Sequence, residues 1–129
     1  MAKKKTSQLT EAELRLMNVI WAKGHATVGD VAAALPKELG LAYNSVLTIM
    51  RILETKGYLK HTKSKDSRAF LYRPTVGRGE ATRNAVQQLL RRFFSGSPEA
   101  LVLNLLEDET LSARELKKIR EALKDEEQP

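Results

Sequence analysis

Residues 42–61 read AYNSVLTIMRILETKGYLKH, with Tyr43, Asn44, Ser45, Thr48 and Arg51 on one side of an apolar stripe of Val46, Ile49, Met50 and Leu53. Those polar side chains make and accept hydrogen bonds rather than break covalent ones. An Asn amide matches the edge of adenine, Ser and Thr hydroxyls suit several bases, and an Arg guanidinium suits guanine or phosphate. Tyr43 can bond a phosphate or rest on a sugar. Just downstream Lys60, Lys63, Lys65 and Arg68 crowd a short segment. Every such cation that neutralises a phosphate adds about 0.9 to the salt dependence of binding. One polar helix face alone reads more readily as the solvated side of an amphipathic helix, so the DNA reading depends on what surrounds it.

Other chemistries find little support. The chain of 129 residues has no cysteine, which excludes disulfides, thiolate metal sites and a Cys nucleophile. His25 and His61 are its only histidines and read as a loop residue and a strand residue, so no metal site is expected. No Ser/His/Asp order forms a triad, no glycine-rich loop cradles a phosphate, and Glu107, Asp108 and Glu109 read as solvated carboxylates at a helix end. Neither an enzyme nor a bound cofactor is expected. No apolar run reaches the roughly 18 residues of a membrane span, and the start MAKKKTSQLT lacks the apolar part of a signal peptide. The expected location is the cytoplasm, with no membrane insertion.

Charge is distributed unevenly. Residues 1–75 hold 13 Lys and Arg against 6 Asp and Glu, a balance of +7, whereas residues 76–129 hold 9 against 10, a balance of −1. A polyanion would meet the first part. Lys3, Lys4 and Lys5 offer it a further non-specific contact.

The elements that must hold these residues follow from local signals. Thr10 and Glu13 form a capping box before a helix with Leu14, Met17, Ile20 and Trp21 inward and Gly24 at its end. Thr27 and Asp30 open a second helix, with Val28, Val31 and Leu35 inward and Pro36 beyond; Gly29 costs it about 1 kcal/mol, so it is short. The third helix, from about Tyr43 to Lys56, lacks a Ser, Thr or Asp cap and stops at Gly57. Strand formers on both sides of Ser64-Lys65-Asp66-Ser67 predict a β-hairpin. Three more helices follow: Glu80 to Phe94, one opened by Ser97-Pro98, and one opened by Ser112 and Glu115, with DEEQP as a frayed tail. The order predicts a mainly α protein with a small hairpin wing: a winged helix-turn-helix domain over 1–75 and a helical dimerisation region over 76–129. Leu89, Leu90, Phe93, Phe94, Leu101, Val102, Leu105 and Leu106 are more apolar surface than two short helices can cover; they either fold back on the winged domain or, the favoured reading, pair with a second copy of the chain.

LTEAELRLMNVIWAKGHATVGDVAAAL, LAYNSVLTIMRILETKGYL, RAFLYRP and SPEALVLNLLEDETLSARELKKI together resemble the BlaI/MecI/CopY penicillinase-repressor family, over about residues 8–123. The resemblance implies homodimeric repressors whose winged helices sit on palindromic operators and whose C-terminal helices join the subunits. The family's recognition positions fall on Tyr43, Asn44, Ser45 and Thr48, and its dimerising helices on Glu80 to Phe94 and Pro98 to Glu109. Antibiotic-responsive members are cut through a membrane sensor-protease system, and VLNLLE would place that bond between Asn104 and Leu105. The copper-responsive branch ends in a cysteine hook that this chain lacks. Many members carry a basic residue where Ile52 stands here, implying one phosphate contact fewer. The rival expectation is a winged-helix protein-interaction adaptor that never touches DNA.

Overall fold

A computed structural model describes residues 8–66 and 68–127. The chain forms α1 (Glu11–Lys23), α2 (Val28–Ala34), a 3-10 turn at Lys37–Leu39, α3 (Tyr43–Thr55), β1 (Leu59–Lys63), β2 (Phe70–Pro74), α4 (Arg78–Phe93), α5 (Pro98–Glu107) and α6 (Ala113–Glu127). It divides into two compact units, one through Ala85 and one from Val86 onward. The division falls inside α4, about ten residues beyond the boundary expected from the sequence.

In the first unit the capping boxes form as the sequence predicts. Thr10 Oγ1 accepts from the Glu13 amide while the Thr10 amide donates to Glu13 Oε1, and Thr27 and Asp30 repeat the exchange at α2. The Thr27 amide, with help from its hydroxyl, holds the Asp30 carboxyl below the usual carboxylate range. Leu16, Met17 and Ile20 of α1, Val28 and Val31 of α2, and Val46, Met50 and Leu53 of α3 close into one core with Leu35, Tyr58, Leu59, Tyr72 and Val76. Leu14, expected inside, is instead exposed; Leu16 takes the inward position, because the buried stripe of α1 runs through 13, 16, 17 and 20. Ile49 is half-buried against the core, and Trp21, also half-buried, donates from its indole Nε1 to the Val76 carbonyl at 2.8 Å.

The end of α3 aims the wing. Gly57, at φ 90°, donates to the Glu54 carbonyl while Tyr58 donates to Leu53 across the turn. This Schellman arrangement needs a left-handed residue that glycine supplies without Cβ crowding. The chain therefore leaves α3 directly into β1, which pairs antiparallel with β2 in a register setting Leu59 against Pro74, His61 against Tyr72 and Lys63 against Phe70. The expected hairpin and its polar tip are both present, with Ser67 outside the described residues. A backbone bridge from Ala26 to Tyr72 fastens the hairpin to the turn before α2.

In the second unit Ser95 and Gly96 turn the chain between α4 and α5, Ser97 caps α5 through the Ala100 amide, and Ser112 with Glu115 boxes the start of α6. Helix α6 continues to Glu127, beyond the start of the predicted tail, because the added residues Asp125, Glu126 and Glu127 extend a helix already propagated over twelve residues. Leu90 is the one buried residue described here. No helix among the described residues is long and apolar enough to cross a membrane.

Candidate nucleic-acid interface

The structure brings the predicted polar residues onto one exposed surface. Tyr43 is the first residue of α3, and Tyr43, Asn44, Ser45, Thr48 and Arg51 are all exposed. Asn44, Thr48, Arg51 and Thr55 follow at intervals of four, three and four, so they line one stripe of α3 opposite its buried Val46, Met50 and Leu53. No side chain caps the start of α3, since Ala42 stands there. Its leading amides are therefore open to an outside acceptor.

Hydrogen bonding distinguishes the candidate readers. Among the described residues the Asn44 amide and the Ser45 hydroxyl have no side-chain partner, so both keep their full donor and acceptor capacity. Thr48 differs: its Oγ1 donates to the Asn44 carbonyl at 3.0 Å. The proton is committed to the helix, which leaves Thr48 a lone-pair acceptor and a methyl group, suited to an exocyclic amine or a thymine methyl.

Lys63 ends β1, and Lys65 and Arg68 lie in the loop that follows, all exposed. No carboxylate among the described residues pairs with these three or with Arg51. Lys60 and Arg73 oppose each other on the other face of the hairpin. Lys3, Lys4 and Lys5 lie outside the described residues. Lys56, by contrast, is not available to a ligand. Its Nζ lies 2.7 Å from Glu13 Oε1 and 3.0 Å from the Gln8 carbonyl, an ion pair that ties α3 to the first turn of α1 around the one carboxylate buried among the described residues. The exposed Ile52 sits between these groups in a shallow groove with Thr48, Arg51, Thr55 and Lys56.

Sequence reasoning missed two parts of this surface. Buried Tyr72 lies under it at the base of the wing, its hydroxyl pushed up by burial and by the Glu54 carboxylate, and drawn back by the Arg51 guanidinium. His61 Nδ1 lies 2.9 Å from both Glu54 oxygens, so it joins the wing to α3. Both could have been found from strand alternation, which places 61 and 72 on the inward face, had the hairpin register been known.

In the second unit the expected contact residues divide. Leu89, Phe93 and Val102 are exposed, and Phe94, Leu101 and Leu105 are half-buried. Leu90 is buried within its own chain. Asn104 is exposed on α5 and Leu105 is half-buried beside it. The structure adds exposed Val86, Leu103, Leu106, Ile119 and Leu123.

Three helices, a hairpin wing and an exposed polar third helix define a winged helix-turn-helix protein. A family model described as penicillinase repressor matches residues 9–125. The penicillinase repressor of Bacillus licheniformis is 30% identical over 122 residues, spanning 95% of this chain and 94% of that protein. The methicillin resistance regulatory protein MecI of Staphylococcus aureus strain N315 is 26% identical over 119 residues, spanning 92% and 95%. Among solved structures, the DNA-binding domain of the repressor BlaI aligns with a TM-score of 0.52 at 30% identity, covering 61% of this chain and 93% of that one. A mutant MarR from E. coli, solved with operator DNA, shares the fold at 16% identity, with a TM-score of 0.51 over 97% of this chain and 80% of that one. The chain belongs to the penicillinase repressor family.

Proposed function

We propose that this family member is a homodimeric, sequence-specific DNA-binding repressor that holds a palindromic operator, each protomer reading one half-site. The single observation that carries the reading is the exposed polar surface of Asn44, Ser45, Thr48 and Arg51, with wing cations that pair with no carboxylate among the described residues, on a unit whose own core is complete. Tyr43 and the uncapped start of α3 meet the phosphate strand; Asn44, Ser45 and Thr48 face base edges; Arg51 takes guanine or phosphate; Lys63, Lys65 and Arg68 take phosphates beyond. The protein acts in the cytoplasm and does no covalent chemistry.

The dimer contact is the apolar surface of the second unit. Eight of the twelve large exposed hydrophobics among the described residues lie there: Val86, Leu89, Phe93, Val102, Leu103, Leu106, Ile119 and Leu123. Residues 86–129 carry 7 Lys and Arg against 9 Asp and Glu, so a second copy meets little repulsion. Induction follows cleavage of the Asn104–Leu105 bond by a membrane sensor-protease system. The bond lies inside α5, no side chain of which is buried, so the helix can unwind to present it at low cost. Cutting there removes bivalent binding and leaves the reading surface untouched.

Selection from a random-sequence duplex library with the full chain tests the reading. Enrichment of an inverted repeat and a steep fall of affinity with salt are expected; failure to retain any duplex in dilute buffer would contradict it and favour the adaptor.

A further inference from the structure

The wing carries an exposed aromatic ring that neither the core nor the phosphate-facing lysines explain. Phe70 opens β2 with 45% of its surface exposed. Strand pleating sets it on the face of its partner Lys63, and of His61 and Tyr72 one step along. Its ring stacks on His61 with centroids 4.3 Å apart and planes inclined by 25°. His61 in turn is held by both Glu54 oxygens and leans on the Tyr72 ring at 5.3 Å. Glu54 stands one helical turn beyond Arg51 on α3. A line of contacts thus starts on the reading helix and ends at Phe70, whose ring is stacked on His61 and remains 45% exposed.

An apolar ring left in water is unfavourable in proportion to its exposed area, whereas Tyr72, two residues on along the same strand, is buried in the core. What fits in front of it is apolar at its centre and anionic at its edges, because Lys63 is its cross-strand partner and Lys65 and Arg68 lie in the exposed loop joining the two strands. The floor of a DNA minor groove, sugars and base edges between two rows of phosphates, has that pattern. Were α3 to enter the major groove, a hairpin leaving it directly at Gly57 would be carried towards the bounding phosphate strand and the minor groove beyond it.

We propose that Phe70, backed by His61 and Glu54, packs into the minor groove beside the half-site and selects the operator flank by its shape. The ring has no donor or acceptor, so it responds to groove width and ease of unstacking rather than to the hydrogen-bond code. Glu54 and His61 are positioning residues. The inference rests on the DNA-binding reading above and adds a second kind of readout to it.

The test repeats the library selection with full-length Phe70→Ala and Phe70→Leu. The same central bases are expected in every selection, while enrichment at the flanks disappears with Phe70→Ala and partly returns with Phe70→Leu. On the duplex chosen by the unmutated chain, Phe70→Ala should bind about tenfold more weakly, in the range of one lost aromatic–nucleotide contact, at an unchanged salt slope. Lys63→Ala should do the reverse, lowering the slope by about 0.9 per protomer and keeping the flank preference. Glu54→Gln, which keeps a hydrogen bond to His61, should retain the preference that Glu54→Ala loses. Unchanged flank enrichment with Phe70→Ala, or an equal loss on all duplexes with a lowered unfolding midpoint, would overturn the inference. If the unmutated chain retains no duplex, the DNA-binding reading fails first and takes the inference with it.

Discussion

The two units differ in what they leave uncovered. The first buries fourteen hydrophobic residues in one cluster around α1, α2, α3 and the hairpin, and exposes mainly polar and cationic side chains, with Leu14, Tyr43, Ile52 and Phe70 as its large exposed hydrophobics among the described residues. The second buries only Leu90 among its described residues and exposes Phe93 at 68% and Val102 at 50%. Exposed apolar surface of this extent marks an interaction site. The first unit therefore closes its own core and presents one short polar helix. The second leaves apolar side chains uncovered; in the function proposed above a second copy covers them and joins two readers.

The contrast breaks most visibly at the second unit. Phe93→Asp combined with Leu103→Asp should give a monomer by sedimentation and weaken binding to the selected duplex by roughly 10²–10⁴, the usual gain from linking two sites. The unfolding midpoint of the first unit should not move. Next, replacing Lys63, Lys65 and Arg68 together by Ala should reduce the slope of log affinity against log salt by about 2.7 per protomer, at about 0.9 per phosphate contact, with base preference kept. Anisotropy titrations over a salt series measure this.

Much of this architecture is legible in the sequence because it is local. Capping boxes span three residues, the stripe of α3 repeats every three or four, and the wing is bounded by its own turn residues. What escapes the sequence spans long separations or depends on facing. Glu13 and Lys56 lie 43 positions apart, and nothing nearby announces that a first-turn Glu will be buried and met by a Lys from the end of α3. Phe70 reads as a strand former and gives no sign that its ring stays exposed. Leu89 and Leu90 are indistinguishable in composition, yet one is exposed and the other buried, because adjacent helical residues point about 100° apart. The amphipathic stripe of Ile119 and Leu123 on α6 is hidden in the sequence by the charges that dominate that stretch.

Two smaller effects sharpen the contrast from the side of the first unit. Lys56→Met should leave the Glu13 carboxylate without its cation. A cost of about 2 kcal/mol is expected, below that of a wholly buried pair because the Lys56 side chain is 23% exposed. Denaturant unfolding followed by circular dichroism reads it, and dimerisation should be unaffected. The smallest effect concerns the α2 cap. Because the folded state lowers the Asp30 pKa, its contribution is fully present above the ordinary carboxylate value and is lost as pH falls through the lowered one. Asp30→Asn should flatten that part of the acid limb of the stability–pH curve while neutral-pH base preference stays the same.

The central claim is that a complete reading unit works only because an incomplete pairing unit doubles it. Its most direct test is the mass of the complex formed by the full chain on the selected duplex, measured by light scattering at micromolar concentration. Two chains per duplex, with the free protein also dimeric, is the predicted result. A single chain per duplex, bound with the same affinity and sequence preference as the Phe93→Asp, Leu103→Asp variant, would contradict it.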